Sequence, residues 1–209
     1  MVWSIETALK SALFDVVMVS TDSEEIADIA RSAGALVPFL RPDPLANDVA
    51  GTRAVIAHTI QAYTEYDRQP DLVCCLYATA PFVLPQDLQT GCEKLISTGA
   101  EFAYSVARFP SPIQRAVRIC ENGRVDMIMP ENRAKRTQEL EPAYYDAGQF
   151  YWGHAGSFLN MEKKITSQLS VPVILPPHRV QDIDTEDDWV RAEWMFKAMK
   201  MESLPDQAS

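Results

Sequence analysis

Residues 181–189 read QDIDTEDDW and lie between the extended apolar run VPVIL at 171–175 and a tail with helical spacing. Such a stretch marks the place where a strand ends and a helix begins. Residues two apart on an extended backbone face the same side, so Asp182 and Asp184 are expected to present their carboxylates together, with Cα atoms roughly 6.6 Å apart. Paired negative charges favour a cation between them, and hard oxygen ligands suit Mg²⁺. The alternative interpretation is that both are solvated turn residues.

The residues that follow this pair predict a helix start. Thr185 and Asp188 have the spacing of a capping box, in which side chains satisfy the first free N–H groups of a helix predicted at 186–201. The three acidic residues at 186–188 then have a structural role, because negative charge stabilises the positive end of a helix. Only the aspartate pair needs a functional explanation.

The composition indicates one acidic domain. The 209 residues carry a formal charge of −10 and are 47% hydrophobic, which predicts a single domain over 1–201 and a disordered tail at 202–209. The negative charge argues against a nucleic-acid partner, which clustered Lys and Arg would hold. There is no apolar run of roughly eighteen residues and no signal-peptide pattern, so we expect a cytoplasmic protein with no membrane contact. The four cysteines have no zinc-ligand spacing and are predicted to be free thiols.

Short apolar runs alternate with helical patterns through the first half of the chain. Runs that are apolar without alternation are typical of strands covered on both faces, and 71–77 is the best candidate for a central strand. Strands that alternate with helices predict an α/β fold with a doubly wound, mostly parallel sheet. The strands are predicted at 14–19, 71–77 and 102–107, and the helices at 2–12, 23–34, 52–66 and 85–98.

The pattern changes after Arg108. Residues 109–119 and 125–129 alternate between apolar and polar, and Asn122-Gly123 between them is a strong hairpin signal. We interpret 109–147 as an excursion from the α/β domain that carries a β-hairpin.

Three positions in the first quarter of the chain have the chemistry of nucleotide contacts. The turn Ser20-Thr21-Asp22 follows a predicted strand, where open α/β sheets place ligands, although capping of the next helix by Asp22 or Ser23 explains it equally. Arg41 carries a guanidinium fork that suits phosphate or a base edge, or else an ion pair with Asp43 or Asp48. Thr52 lies at a predicted helix start, where free N–H groups favour anions.

The segment 144–153, YYDAGQFYWG, mixes aromatic rings with a polar residue. In a routine core strand Gln149 would be buried without a partner, which argues against that role. Two interpretations remain open. One is a pocket that stacks on a sugar ring and bonds its hydroxyls, and the other is a dimer interface.

Taken in order, these motifs resemble those of the cytidylyltransferases that act on nine-carbon acidic sugars. The likeness extends to about residue 200, and several ordered motifs are more specific than any one alone. The motifs are VSTD at 19–22, RP at 41–42 with LA at 45–46 and Asp48, DIDT at 182–185, and the strand around Gly148. Within this group, YATAPF at 77–82, the segment 109–116 and DAGQFYW at 146–152 are most similar to the pseudaminic acid branch.

The resemblance implies a nucleotide-diphospho-sugar transferase-like fold and a reaction. The anomeric hydroxyl of pseudaminic acid attacks the α-phosphate of CTP, giving pyrophosphate and a CMP-sugar for surface or flagellin glycosylation. It also implies Mg²⁺ as cofactor and a homodimer formed through the hairpin excursion. The alternatives are CMP-sialate or CMP-legionaminate synthesis, or a non-catalytic homologue that binds a sugar nucleotide. The resemblance implies that the catalytic residues Asp182 and Asp184 hold the metal, and that the nucleotide is contacted by Ser20, Arg41, Asp48 and Thr52. It implies that the sugar is contacted by Tyr77, Gln149, Phe150 and Tyr151. The sugar carboxylate would be reached by Arg115, Arg136 or Gln138, either within one chain or across a dimer.

The N-terminus departs from the family pattern. Family members begin with a strand and a Gly/Arg/Lys-bearing loop that binds the triphosphate, whereas residues 1–6 correspond to the helix after that loop. We therefore expect a sheet without its first strand, with exposed apolar edges, and little transferase activity in this form of the chain. A start codon assigned too late is the explanation that we favour for the natural protein.

Overall fold

The computed structural model describes residues 1–47 and 49–202. In this part of the chain the helices are α1 (Val2–Ser11), α2 (Glu24–Ser32), α3 (Thr52–Tyr66), α4 (Pro85–Thr98), α5 (Ala155–Leu159) and α6 (Glu186–Glu202). The strands are β1 (Leu72–Leu76), β2 (Phe102–Arg108), β3 (Val117–Ile119), β4 (Val125–Met127), β5 (Tyr144–His154) and β6 (Ser170–Leu175). None of the helices in the two described ranges is long and apolar enough to cross a membrane.

The main sheet has four strands in the order β1-β5-β2-β6. β5 runs antiparallel to both β1 and β2, and β2 pairs with β6 in parallel. The α/β class is confirmed, but the sheet is mixed rather than mostly parallel. The reason is the excursion, because the chain leaves β2 at Arg108 and returns at Tyr144 directly opposite, so β5 must run back along β2.

The two strands predicted nearest the N-terminus differ from expectation. β1 lies at an edge of the four-stranded sheet, so the prediction of a central strand at 71–77 is wrong for this sheet. The segment 14–19 forms one parallel bridge, between Met18 and Leu36, in place of a full strand. Among the described residues, no strand lies between β1 and the segment 14–19.

Helices cover both faces of the sheet, as the α/β pattern predicts. α4 packs on one face, and α3 with α5 packs on the other. The first core contains Leu88, Leu95, Phe150, Trp152 and Leu175, and the second contains Ile56, Ile60, Phe102, Tyr151 and Phe158. Cys74 packs against the first and Cys75 against the second, as expected for neighbours on a strand.

β5 is a core strand, so the sequence-based argument against that role is wrong. The side chains of Phe150 and Gln149 are both 0% exposed. The Gln149 side-chain N–H donates to the Ala147 carbonyl at 2.8 Å, whereas the Gln149 Oε1 atom is buried without a hydrogen-bond partner among the described residues. The ring of Phe150 lies inside the core next to Trp152, so the implied contact between Phe150 and a sugar does not fit this structure.

The excursion was predicted at 109–147; in the structure residues 109–143 lie between β2 and β5, and residues 144–147 belong to β5. β3 and β4 pair antiparallel, with Val117 opposite Met127, and Gly123 makes the turn with a φ of +74°. That left-handed conformation favours glycine. The hairpin leaves four large apolar side chains more than half exposed, at Val117, Ile119, Val125 and Ile128.

The helix starts follow the predicted caps. The Ser23 hydroxyl accepts a hydrogen bond from the Ile26 N–H at 3.3 Å and begins α2. At the start of α6, the Thr185 hydroxyl accepts from the Asp188 N–H at 3.3 Å, and the Asp188 carboxylate accepts from the Thr185 N–H at 3.1 Å. This reciprocal pair is the capping box read from the sequence. It fixes the point at which the chain turns from the aspartate pair into the helix.

Candidate active site

A cavity of about 430 Å³ lies between β1 and the segment 16–20. Four of the predicted contact residues line it, although they come from distant parts of the chain: Ser20, Arg41, Thr52 and Tyr77. Most of the remaining wall is aliphatic, from α1, α3 and β1. The structure therefore brings the predicted nucleotide residues together with one predicted sugar residue, and their ligand contacts stay predictions.

Two polar atoms near this cavity have no partner among the described residues. They are the Ser20 hydroxyl oxygen and the Nε atom of Arg41, both buried. The other end of the Arg41 guanidinium is held by Asp22, at 3.3 Å. Leaving a buried polar group unpaired costs about 1–3 kcal/mol, so a ligand that bonds these atoms would gain that free energy.

Two unpaired strand edges border the cavity. In β1, the Tyr77 N–H donates to Gln149 and the Asp71 carbonyl accepts from Ala155, each at 3.0 Å, so alternate main-chain groups face β5. The main-chain N–H and C=O groups of Leu72, Cys74 and Leu76 therefore face the cavity. On the opposite wall, the Val17 carbonyl accepts from the Leu36 N–H, and the Val19 N–H donates to the Leu36 carbonyl. The main-chain groups of Met18, between them, therefore point towards the cavity. These open edges fit the expected gap in the sheet, although the prediction about the N-terminal segment stays a prediction.

Two tyrosines in contact connect the cavity to an acidic edge of the sheet. The Thr52 and Tyr77 hydroxyls lie 2.7 Å apart, and the Tyr77 ring packs edge-on against the Tyr151 ring, with centroids 5.8 Å apart. The Tyr151 hydroxyl donates to Asp146 at 2.8 Å. Burial, followed by the hydrogen bond to Asp146, raises the pKa of Tyr151 far above its usual range, so this phenol stays protonated.

Asp182 lies beside Asp146 and Asp184. Its carboxylate packs over Gly148, where an added Cβ would be 3.6 Å from Oδ2. Burial raises the pKa of the Asp182 carboxyl, and the negative charges of Asp184, Asp188 and Asp146 raise it further. The aspartates read from the sequence therefore interact electrostatically, and the charge that they share is not neutralised within the described chain.

This arrangement fits a divalent cation that the substrate helps to hold. In the described ranges no group of three or more His, Cys, Asp or Glu side chains is placed to bind a metal by itself. Mg²⁺ is commonly held by only one or two carboxylates, together with water and substrate phosphates. Asp182 and Asp184 provide that minimal set, and a cation there would relieve the repulsion that raises the pKa of Asp182.

The remaining predicted contacts are not gathered at the cavity. Arg115, Arg136 and Gln138 lie exposed on the excursion, where Arg115 donates to the Lys135 carbonyl at 2.6 Å. None of the three lines the cavity, and their proposed reach to a sugar carboxylate stays a prediction. Asp48 lies outside the described residues, as does most of the predicted tail at 202–209.

Two features of this region were missed by sequence reasoning. Asp146 accepts from both the Gly148 N–H and the Tyr151 hydroxyl, which places a third carboxylate beside the aspartate pair. Arg179 forms a bidentate ion pair with Asp87, at 2.6 and 3.0 Å, and so ties the segment before Asp182 to the start of α4. Neither had a local signal, because Asp146 is 36 residues from Asp182 in sequence and Arg179 is 92 residues from Asp87.

The fold and the site together define the class of protein. The chain belongs to the cytidylyltransferase family, whose sequence profile, described as Cytidylyltransferase, matches residues 1–165. A pseudaminic acid cytidylyltransferase of Campylobacter jejuni is 39% identical over 195 residues, covering 93% of this chain and 84% of the relative. The CMP-N,N'-diacetyllegionaminic acid synthase of Legionella pneumophila is 30% identical over 203 residues, covering 93% and 83%.

Solved structures agree with the fold. A CMP:2-keto-3-deoxy-manno-octonic acid synthetase complexed with CTP matches with a TM-score of 0.63 and 13% identity, covering 94% of this chain and 87% of that one. The 4-diphosphocytidyl-2C-methyl-D-erythritol synthase of Anaerococcus prevotii matches with a TM-score of 0.59, also at 13% identity, covering 94% and 89%. At such low identity the likeness establishes the shared fold alone.

Proposed function

We propose that this protein transfers CMP from CTP to the anomeric hydroxyl of pseudaminic acid and releases pyrophosphate. The choice of sugar is supported by the similarity, over nearly the whole chain, to proteins named pseudaminic acid cytidylyltransferases. The observation that carries the proposal within the chain is the run of contacts from Thr52 through Tyr77 and Tyr151 to Asp146, which joins the cavity to the acidic edge. Nucleotide and sugar would then occupy adjoining sites along this path.

In the proposed reaction, a bond forms between the anomeric oxygen and the α-phosphorus, the bond from that phosphorus to pyrophosphate breaks, and the proton of the anomeric hydroxyl is released to solvent. Arg41 and Ser20 bind the nucleotide through the unpaired atoms at the cavity. Tyr77 and Tyr151 stay protonated and orient hydroxyl groups of the substrate. Mg²⁺ held by Asp182 and Asp184 supplies neutralisation of the phosphate charge.

We also propose a homodimer formed through the excursion. The exposed apolar side chains of β3 and β4 support this, because such a patch is typical of a protein interface. Arg115, Arg136 and Gln138 lie on the same excursion, and pairing of two copies would let one of them reach the sugar carboxylate of the partner. The CMP-sugar would be made in the cytoplasm for surface or flagellin glycosylation.

The central experiment measures pyrophosphate release with CTP, Mg²⁺ and a panel of acidic nine-carbon sugars. We expect the highest kcat/KM with pseudaminic acid. A preference for sialic or legionaminic acid would favour those alternatives. Calorimetric binding of CTP without turnover of any sugar, at high protein concentration, would favour a non-catalytic homologue.

Arg41→Ala is expected to weaken CTP binding by about 10- to 100-fold. A hydrogen bond to a charged group contributes about 1.5–3 kcal/mol, and each 1.4 kcal/mol is roughly a factor of ten. Calorimetry with CTP checks this. Arg31→Ala is the matched control, since Arg31 also pairs with nearby acids but lies exposed on α2. Equal CTP affinities for the two variants would remove Arg41 from the site.

A second prediction concerns the open strand edges. Fusing the βα unit of a longer family member ahead of Met1 is expected to raise turnover by at least about 10-fold, because a strand would pair with both edges and its loop would bind phosphate. Amide hydrogen exchange should slow at Leu72, Cys74 and Leu76, whose N–H groups face the cavity. The N–H groups of Val73 and Cys75 face β5 and serve as internal controls. Uniform slowing along β1, or unchanged turnover, would contradict the prediction.

A further inference from the structure

Gln149 lies fully buried in the middle of β5 and links that strand to the segment that carries the aspartate pair. Its side-chain amide donates to the carbonyl of Ala147 at 2.8 Å and to the carbonyl of Gln181 at 3.5 Å. Gln181 directly precedes Asp182. The side-chain N–H group of Gln149 is therefore placed to hold the main chain next to the predicted metal ligand, while its Oε1 atom is buried without a partner among the described residues.

The backbone around Gln149 is itself fixed by a buried hydroxyl. The Ser105 oxygen accepts hydrogen bonds from the Gln149 N–H at 3.2 Å and the Phe150 N–H at 3.1 Å. This contact occurs where the register between β2 and β5 shifts, between Tyr104 and Val106. Such bulges re-aim side chains next to active sites. Here the bulge points the Gln149 amide towards the segment before Asp182.

Two further contacts hold the same segment. The Asp182 carboxylate lies against Gly148 of β5, whose φ of +60° is a left-handed conformation that favours glycine. The Gln181 amide donates to the Asp182 carbonyl at 2.6 Å and to the Asp188 carboxylate at 3.1 Å, which connects the segment to the cap of α6. Asp182 is thus held from the strand side by Gly148 and Gln149, and from the helix side by Gln181.

We propose that Gln149 is a positioning residue that sets the place of Asp182 and Asp184 for binding a divalent cation. The proposal rests on the proposed function, in which these carboxylates hold Mg²⁺. Without the Gln149 amide, the carbonyls of Ala147 and Gln181 would lose a hydrogen-bond donor, and the segment that carries Asp182 would shift. Changes in groups that orient metal ligands typically weaken metal binding by about 10- to 100-fold.

The test is Mn²⁺ binding, measured by electron paramagnetic resonance on the full chain with saturating CTP. Gln149→Met is expected to weaken Mn²⁺ binding by about 10- to 100-fold, and the loss of turnover should be largely restored by raising Mg²⁺. Gln149→Asn keeps the amide but shortens its reach, so it should give the same shift if the Met variant folds poorly. Gln89→Met is the matched control, because its amide donates to the Ser11 carbonyl at 3.1 Å, away from the aspartates.

Asp184→Asn separates this inference from the function on which it rests. If that substitution leaves Mn²⁺ binding unchanged, the proposed metal site is wrong. If Asp184→Asn abolishes binding while both Gln149 variants bind Mn²⁺ within about twofold of the parent, the positioning role is overturned. A turnover loss in Gln149→Met that high Mg²⁺ does not restore would also overturn it.

Discussion

Asp184→Ala is expected to lower the rate of pyrophosphate release by at least about 100-fold at saturating CTP, sugar and Mg²⁺. A bound metal supplies several kcal/mol of charge stabilisation in phosphoryl transfer, and about 2.7 kcal/mol corresponds to 100-fold in rate. Among the neighbouring charges, Asp184 has the largest effect on the pKa of Asp182, and its loss leaves a single carboxylate of the pair. Initial rates of the variant and the parent chain in the same assay give the ratio.

Asp187→Ala is the control for this experiment. Asp187 belongs to the same acidic stretch but lies exposed in the first turn of α6, where it contributes to the helix end. Removing one such charge changes stability by less than about 1 kcal/mol. The rate of pyrophosphate release by the Asp187→Ala variant should stay close to that of the parent chain. Equal rates for the two alanine variants would falsify the assignment of Asp184 to the metal.

Asp87→Ala is expected to lower the free energy of unfolding by about 3–5 kcal/mol, because it leaves the Arg179 guanidinium buried and unpaired. Each side chain of this ion pair is only 12% exposed. Asp87 also accepts from the Leu84 N–H at 2.8 Å at the start of α4, so the variant loses a helix cap as well. Urea denaturation monitored by circular dichroism measures the loss.

An exposed ion pair provides the comparison. Asp28 pairs with Arg31 at 2.8 Å on α2, with both side chains largely in water. Exposed pairs contribute about 0–1 kcal/mol, so Asp28→Ala should change the free energy of unfolding by no more than that. If Asp28→Ala and Asp87→Ala lowered the free energy of unfolding by similar amounts, the buried ion pair would not stabilise the protein more than the exposed one. Asp87→Ala should in addition loosen the segment before Asp182, because only the hydrogen bond from Arg179 to the Phe82 carbonyl, at 3.2 Å, would still tie that segment to the start of α4.

The helices could be predicted closely from the sequence. The bounds of α3 and α4 agree with the predicted 52–66 and 85–98, and the caps at Ser23 and Thr185 form as expected. These features depend on hydrogen bonds between residues only three or four positions apart. Local sequence contains all the partners that such bonds require.

The strand neighbours and the burial of β5 could not be predicted in the same way. Gln149 and Phe150 were expected at a surface pocket, yet both lie fully inside the protein. Their burial follows from the antiparallel return of β5 between β1 and β2, which the excursion imposes. Because an isolated strand has the same alternation whichever strands border it, its pattern does not reveal its place in the sheet.

By itself, the sequence determined the alternating α/β character, the helix ends and the presence of two aspartates, two residues apart, just before the last helix. The tertiary structure alone decided that Asp146 joins this pair, that Arg179 meets Asp87, and that Ser20, Arg41, Thr52 and Tyr77 share one cavity. The physical reason is the range of the interactions. Caps and strand alternation act over a few residues, whereas the acidic edge and the cavity exist only after distant segments pack on a common sheet.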